Sequence, residues 1–136
     1  MSEANKAVAT KFLKALGAGD AATVKSLITD DILVITPGSG KICGTRDHAV
    51  VMAIADAFPK ITKAGIEFKI LNLTAEGDRV ACEVDGYSTM VDGKEYNNHY
   101  HFLVFIRDGK VCKMKEYLDT ILADAVLGPY LSAGAS

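Results

Sequence analysis

EYNNHYHFLVFIRDGKVCKMKEYLDT, residues 95–120, decides the fold, because it reads as two long strands around one tight turn. The turn is Arg107-Asp108-Gly109, a hairpin signal, and the run before it is rich in aromatic and branched side chains. Few strands that only build a core carry so many His, Asn, Tyr and carboxylate groups, so the polar members either face water or line a pocket. Alternation sorts them. On 95–106 the even set is Tyr96, Asn98, Tyr100, Phe102, Val104 and Ile106. It is more apolar than the odd set, which carries His99 and His101, and is expected on the inner face. On the following strand Lys113 and Lys115 favour water, which leaves Cys112, Met114, Glu116 and Leu118 pointing inward.

Working outward, Ile66–Thr74 and Arg79–Val91 are two more strand-like runs, separated and followed by the turn signals EGD and VDG. Strands of 11–13 residues would span about 35–40 Å, a length at which sheets usually curl. Upstream the period changes. Val8, Phe12, Leu13 and Leu16 mark an amphipathic helix with Ser2 as its cap, stopped by Gly17 and Gly19. Asp20 caps a second short helix through Ala22, Val24 and Leu27. ILVI at 32–35 followed by TPGSG reads as a strand and turn. Thr45 or Asp47 opens a third helix through Phe58, with Pro59 as its stop. The last apolar stretch, 121–131, is helical at first and broken at Gly128-Pro129. Helices followed by an antiparallel meander predict an α+β fold, one domain over 1–136, with three N-terminal helices on a strongly curved, mostly antiparallel sheet that forms a cone.

Register decides which side chains meet inside that cone. A three-residue loop 107–109 pairs Tyr100 with Glu116. A two-residue Asp108-Gly109 loop pairs Tyr100 with Tyr117 and turns two lysines inward, which is costly. The first is therefore expected. If Asp92-Gly93 is a two-residue turn, Asp85 lies opposite Tyr100, and Glu83, Asp85 and Tyr87 share the concave face. The alternative face, Val80, Cys82 and Val84, is equally apolar.

With GKEYNN, FIRDGKV, KEYLDT and the glycine lead-in CGTRDHAV in place, the chain resembles the nuclear transport factor two-like (SnoaL-like) superfamily. Its members include ketosteroid isomerase, limonene epoxide hydrolase and polyketide cyclases. The resemblance spans nearly the whole chain and implies the cone-shaped fold; the superfold itself hosts enzymes, binders and scaffolds. In limonene epoxide hydrolase an Arg-x-Asp precedes the last hairpin and an Asp lies on the final strand. The matching positions here are Glu83-Val84-Asp85 and Glu116, so both carboxylates are kept and Glu83 replaces the arginine. That family's Tyr-x-Asn falls on Leu33 and Ile35, so its water-positioning shell is not carried over. The base of ketosteroid isomerase falls near Ile35 or Thr36, neither of which is a carboxylate.

Composition narrows the classes further. The chain has 136 residues, 49% apolar and 24% charged, with net charge −2. No Lys/Arg cluster marks a nucleic-acid surface. Three cysteines without CxxC spacing, and an N-terminus SEANK without a basic-then-apolar pattern, suggest reduced thiols in a cytoplasmic protein. No apolar run approaches the ~20 residues of a membrane span. Nucleophilic-serine motifs, phosphate loops and metal clusters are absent from the pattern, and no cofactor or metal is implied. Proton transfer is the chemistry these residues support. Asp85 and Glu116, desolvated and mutually repelling, would have separated pKa values, with Glu116 as acid and Asp85 as base. Glu83, Tyr87, Asn98, Tyr100 and Leu118 would contact a small hydrophobic molecule with a polar group. A module of the same fold that binds a small ligand or a protein without turnover is the alternative. Two further expectations concern surfaces. The outer face with His99, His101, Leu103 and Phe105 is apolar enough to form a homodimer. Ile121, Leu122, Val126, Leu127 and Tyr130 should fold over the cone mouth.

Overall fold

Phe12, Leu13 and Ala9 are fully buried, so the spacing read from the N-terminal segment does define one packed face of a helix, α1 (Ser2–Ala18). In the computed structural model, which describes residues 2–131, Ser2 is already helical rather than a cap. The expected single domain over 1–136 extends beyond those residues at both ends. Asp20 caps α2 (Ala21–Leu27) by accepting from the Thr23 amide at 3.2 Å and its hydroxyl at 2.6 Å. Of the two capping candidates for α3 (His48–Ile61), Asp47 is the cap, accepting from Val50 N at 3.1 Å. Pro59 does not stop this helix, which continues to Ile61. In the last turn a proline forfeits little beyond the bond of its own missing N–H.

Among the described residues there are six strands: β1 (Ile28–Thr36), β2 (Gly44–Arg46), β3 (Glu67–Glu76), β4 (Arg79–Thr89), β5 (Glu95–Arg107) and β6 (Lys110–Leu118). Their order is β2-β1-β6-β5-β4-β3, and the pairing of β1 with β6 is parallel while the others are antiparallel. β2, three residues at one edge, was not expected from the sequence. The sheet is curved and unclosed, and the N-terminal helices pack on its concave side. The core joins α1 and α3 to the even face of β5, where Tyr96, Phe102 and Val104 are essentially inaccessible. Phe68 sets its edge on both Tyr100 and Phe102, with centroids 5.2 and 5.5 Å apart, while the latter two stack at 5.0 Å.

The two hairpins differ from expectation, with opposite consequences. Arg107 pairs with Lys110, so the turn is the two-residue Asp108-Gly109 loop. Both of its residues have positive φ, 53° and 75°, as a primed turn requires and as Asp and Gly tolerate. The lysines nevertheless stay out, because the register shifts between Phe105 and Ile106. Cys112 is the extra residue of this bulge, and β6 beyond it changes face. Val111 takes the inner position expected for Cys112, and Met114 remains buried. Phe102 thus pairs with Glu116, and Tyr100 with Leu118. The other turn is longer than assumed. Met90 and Lys94 close a three-residue loop, Val91-Asp92-Gly93, with Gly93 at φ 91°. That one-residue change pairs Asp85 with His99 instead of Tyr100, and it turns alternate side chains of β4 to the other face.

α4 (Thr120–Val126) and α5 (Gly128–Leu131) follow β6. Leu127, between them, is buried and lines the cavity together with Leu131. Ile121, expected among the covering side chains, is instead 83% exposed, while Leu122, Val126 and Tyr130 are half-buried.

Candidate active site

Among the described residues, a partly open, mostly apolar cavity of about 70 Å³ lies on the concave face. α1 contributes Leu16, α3 contributes Val51 and Phe58, and the sheet contributes Phe68, Tyr100, Phe102 and Met114. Glu116 projects into this lining from β6, beside Arg46 from β2. A carboxylate among such neighbours needs hydrogen bonds. Thr36, 2% exposed at the end of β1, donates its hydroxyl to Glu116 Oε1 at 2.7 Å. Arg46 donates one guanidinium nitrogen to Thr36 Oγ1 at 2.9 Å and the other to the carbonyl of Ile42. Its nearest approach to Glu116 Oε1 is 3.9 Å. Burial pushes the Glu116 carboxyl above its ordinary range, and the Thr36 hydrogen bond and Arg46 charge pull it partway back. Oε2 is not engaged by either of these partners.

A second polar group enters from β5. The Asn98 amide donates to Tyr96 Oη at 2.8 Å, and the hydroxyls of Tyr96 and Tyr100 lie 2.6 Å apart. Tyr96 is wholly inaccessible, and either phenol can be the donor between the two oxygens. When Tyr96 donates, the proton of the Tyr100 hydroxyl is free for another acceptor, and Tyr100 is among the residues that line the cavity. Asn98 is held in turn. Its oxygen accepts from Asp119 N at 3.2 Å and His99 N at 2.7 Å, and its nitrogen also donates to Asp119 O at 3.1 Å. Burial raises the Tyr96 phenol to about 12 and that of Tyr100 well above its usual value. Both are hydrogen-bonding acids, neutral at physiological pH.

The structure brings Glu116, Tyr100 and Leu118 to the cavity, with Asn98 behind the tyrosine. It does not bring Asp85, Glu83 or Tyr87 there. Asp85 lies on the convex face, 2.7 Å from His99 Nδ1, and Glu83 accepts from Asn72 Nδ2 at 2.8 Å on the same side. Tyr87 is 42% exposed. The inner face of β4 is Val80, Cys82, Val84, Gly86 and Ser88, all buried. A side chain at 86 would come within 2.8 Å of the Tyr100 ring, so glycine is what lets that ring lie flat on the strand. The expected pairing of Asp85 and Glu116 across one pocket is therefore corrected to a lone carboxyl. Desolvating Glu83 and Asp85 together would have cost far more than burying Val80, Cys82 and Val84. Arg46 and Thr36 were missed as partners of Glu116. Thr36 had a signal, since the family's isomerase base falls near it, but Arg46 had none in local sequence.

The match to known proteins agrees with this architecture. Residues 9–114 match the SnoaL-like domain family. The chain belongs to that family. In fold it is similar to PrhC from Penicillium brasilianum, at TM-score 0.82 and 16% identity, over 98% of this chain and 92% of that one. IdmH from Streptomyces antibioticus, a candidate polyketide cyclase, superposes at TM-score 0.72 with 18% identity, over 91% and 98% of the two chains. TerC, co-crystallised with polyporic acid, gives 0.75 and 19% over 92% and 98%. No curated protein matches the chain in sequence. Among the described residues, no group of three or more His, Cys, Asp or Glu side chains is arranged to hold a metal ion, and no helix is long and apolar enough to cross a membrane.

Proposed function

We propose that the protein is a small-molecule enzyme in which Glu116 moves a proton and Tyr100 steadies the oxygen on which charge develops. The observation that carries this reading is one hydrogen-bonded carboxyl with a raised pKa, lodged in an apolar cavity that also receives a buried phenol. A carboxylate at its ordinary pKa is a weak base, and desolvation makes it a stronger one. Ionised Glu116 would take a proton from the carbon beside a substrate carbonyl, and the electron pair of that C–H bond would pass to the carbonyl oxygen. Tyr100 donates to the resulting enolate. Where the enolate is conjugated with a C=C bond, it regains the proton from Glu116 at the far carbon, which is isomerisation; otherwise its α-carbon attacks a second carbonyl of the same molecule, and the alkoxide left there takes the proton from Glu116, which is cyclisation. The likeness to a candidate polyketide cyclase, and to a protein co-crystallised with polyporic acid, supports this substrate class.

The cavity limits what enters. About 70 Å³ is far below the roughly 300 Å³ of an ordinary ligand pocket. Productive binding therefore takes a short chain or small ring, or displaces the leucines of the C-terminal helices. With a panel of small enones, hydroxy-ketones and epoxides, Tyr100→Phe is expected to lower turnover by about 10²-fold. Asp85→Asn is expected to leave it unchanged. Equal losses from both variants would place the chemistry elsewhere, and a wild-type protein that binds members of the panel without turning any over would favour the ligand-binding module.

The same reading includes a homodimer through the convex face. Leu71, Tyr87 and Tyr117 are each more than 40% exposed there. Lys113 lies 5.3 Å from the centroid of Phe105, however, and covers part of the apolar surface. Sedimentation equilibrium should give twice the chain mass at micromolar concentration. Leu71→Lys with Tyr117→Lys should return the single-chain mass, and a wild-type monomer would remove the dimer from the proposal.

A further inference from the structure

The loop between β1 and β2 is tied to a residue that no feature of the cavity lining includes. Asp124, on α4, accepts from the backbone amides of Lys41 at 2.8 Å and Ile42 at 2.7 Å, one with each carboxylate oxygen. The approach is so close that a side chain at Gly40 would come within 2.6 Å of Asp124 Oδ2. The turn glycine of TPGSG is thereby explained by a contact more than eighty residues away. Ile42 is also the residue whose carbonyl anchors Arg46, and Arg46 in turn holds Thr36 on Glu116. Hydrogen bonds on the two sides of Ile42, linked through its backbone, therefore join α4 to the cavity carboxyl. The chain segment that carries Asp124 goes on to supply Leu127 and Leu131 to the cavity wall.

Resting on the reading of Glu116 as the working group, we infer that Asp124 is a positioning residue for it. By fixing the Ile42 carbonyl, it makes closure of the C-terminal helices and orientation of Arg46 and Thr36 a single event. The loop is held at Ile42 by burial in the core and at Cys43 by hydrogen bonds to Gly40 and Pro37, and the two amide bonds to the Asp124 carboxylate fix the Lys41 and Ile42 peptides between those anchors. Released from α4, the loop would no longer hold Arg46 over Thr36, and Glu116 would lose its oriented donor. The charged and titratable groups that face Glu116 are few: Arg46 from β2, and Tyr96 and Tyr100 from β5. The helices oppose it with apolar side chains alone, such as Leu16, Val51 and Leu127. A change in its titration thus reports on Arg46 and Thr36.

The experiment titrates the Glu116 carboxyl by carbon-13 NMR in the full-length protein, with Glu116→Gln identifying its resonance. Asp124→Ala and Arg46→Met are each expected to move the midpoint upward by about one unit, the effect of losing an opposite charge at this range. The double variant should move it no further, because both changes cut this one connection. Should Asp124→Ala fail to fold, Asp124→Asn keeps one acceptor and should give a smaller shift in the same direction. A midpoint unchanged in the Asp124 variant, or shifts that add in the double variant, would overturn the inference. The titration reads the coupling whether or not a substrate is turned over, so its failure stays separate from failure of the proposed chemistry.

Discussion

Glu116→Gln is expected to lower turnover by about 10²–10⁴-fold, the usual contribution of a positioned acid–base group. The amide keeps the size of the side chain and can still accept from Thr36, so substrate affinity should change little and the loss should fall on kcat. Asp85 cannot compensate, because it sits on the opposite face of the sheet beside His99. The same variant has a second expected effect, on stability. Burial raises the Glu116 pKa in the folded protein above that of the unfolded chain. Between those two values the folded state binds more protons, so stability falls as pH rises through that window and remains lower above it. The substituted amide has no charge to desolvate. Comparing the variant with wild type in denaturant at pH 4 and pH 8 should show a gain at pH 8 that vanishes at pH 4. A gain of this kind, with activity lost, is the trade expected when an active site holds a destabilised group. If the two proteins have parallel pH profiles, the carboxyl is not desolvated and the proposed base is wrong.

Phe102→Ala should cause the largest loss of stability, about 3–5 kcal/mol. The ring is 1% exposed and forms the middle of an aromatic group, stacked on Tyr100 and edge-on to Phe68. Its removal leaves a void beneath β5, an interior strand paired on both sides. For a chain of this size the corresponding fall in Tm is roughly 10–20 °C. Phe102→Leu restores most of the volume and should recover more than half of the loss. Because the void would also open into the cavity, the alanine variant should accept bulkier ligands than wild type. A loss under about 1 kcal/mol would mean that the neighbouring rings collapse into the space and that the cavity is softer than its packing indicates.

Much of the fold is legible along the chain. The even set of 95–106 goes in, since Tyr96, Asn98, Tyr100, Phe102, Val104 and Ile106 are all buried. Asp20 and Asp47 cap the helices that they precede. These features depend on a residue and its near neighbours, through side-chain alternation and short-range hydrogen bonds. Tyr100 reached the cavity for the same reason, whereas Glu116 and Leu118 did so because the bulge at Cys112 undoes the reversal that the two-residue turn would impose on β6. Asp85 did not, because Asp-Gly suits loops of either two or three residues, and the choice reverses every side chain of β4. Nothing local distinguishes the alternatives when both faces contain several apolar residues.

Hydrophobic alternation, turn residues and capping aspartates determine, from the sequence by itself, that this chain forms helices packed on a curved, mostly antiparallel sheet. Each acts over a few residues, and each leaves its mark in the order of residues. Tertiary structure alone decided that Cys112 bulges, that Glu83 and Asp85 face outward, and that Glu116 meets Thr36, eighty positions away. It also decided that Asp124 secures the loop behind Arg46. Those outcomes depend on which arrangement buries the fewest unpaired charges, and that energy exists only once the strands are side by side.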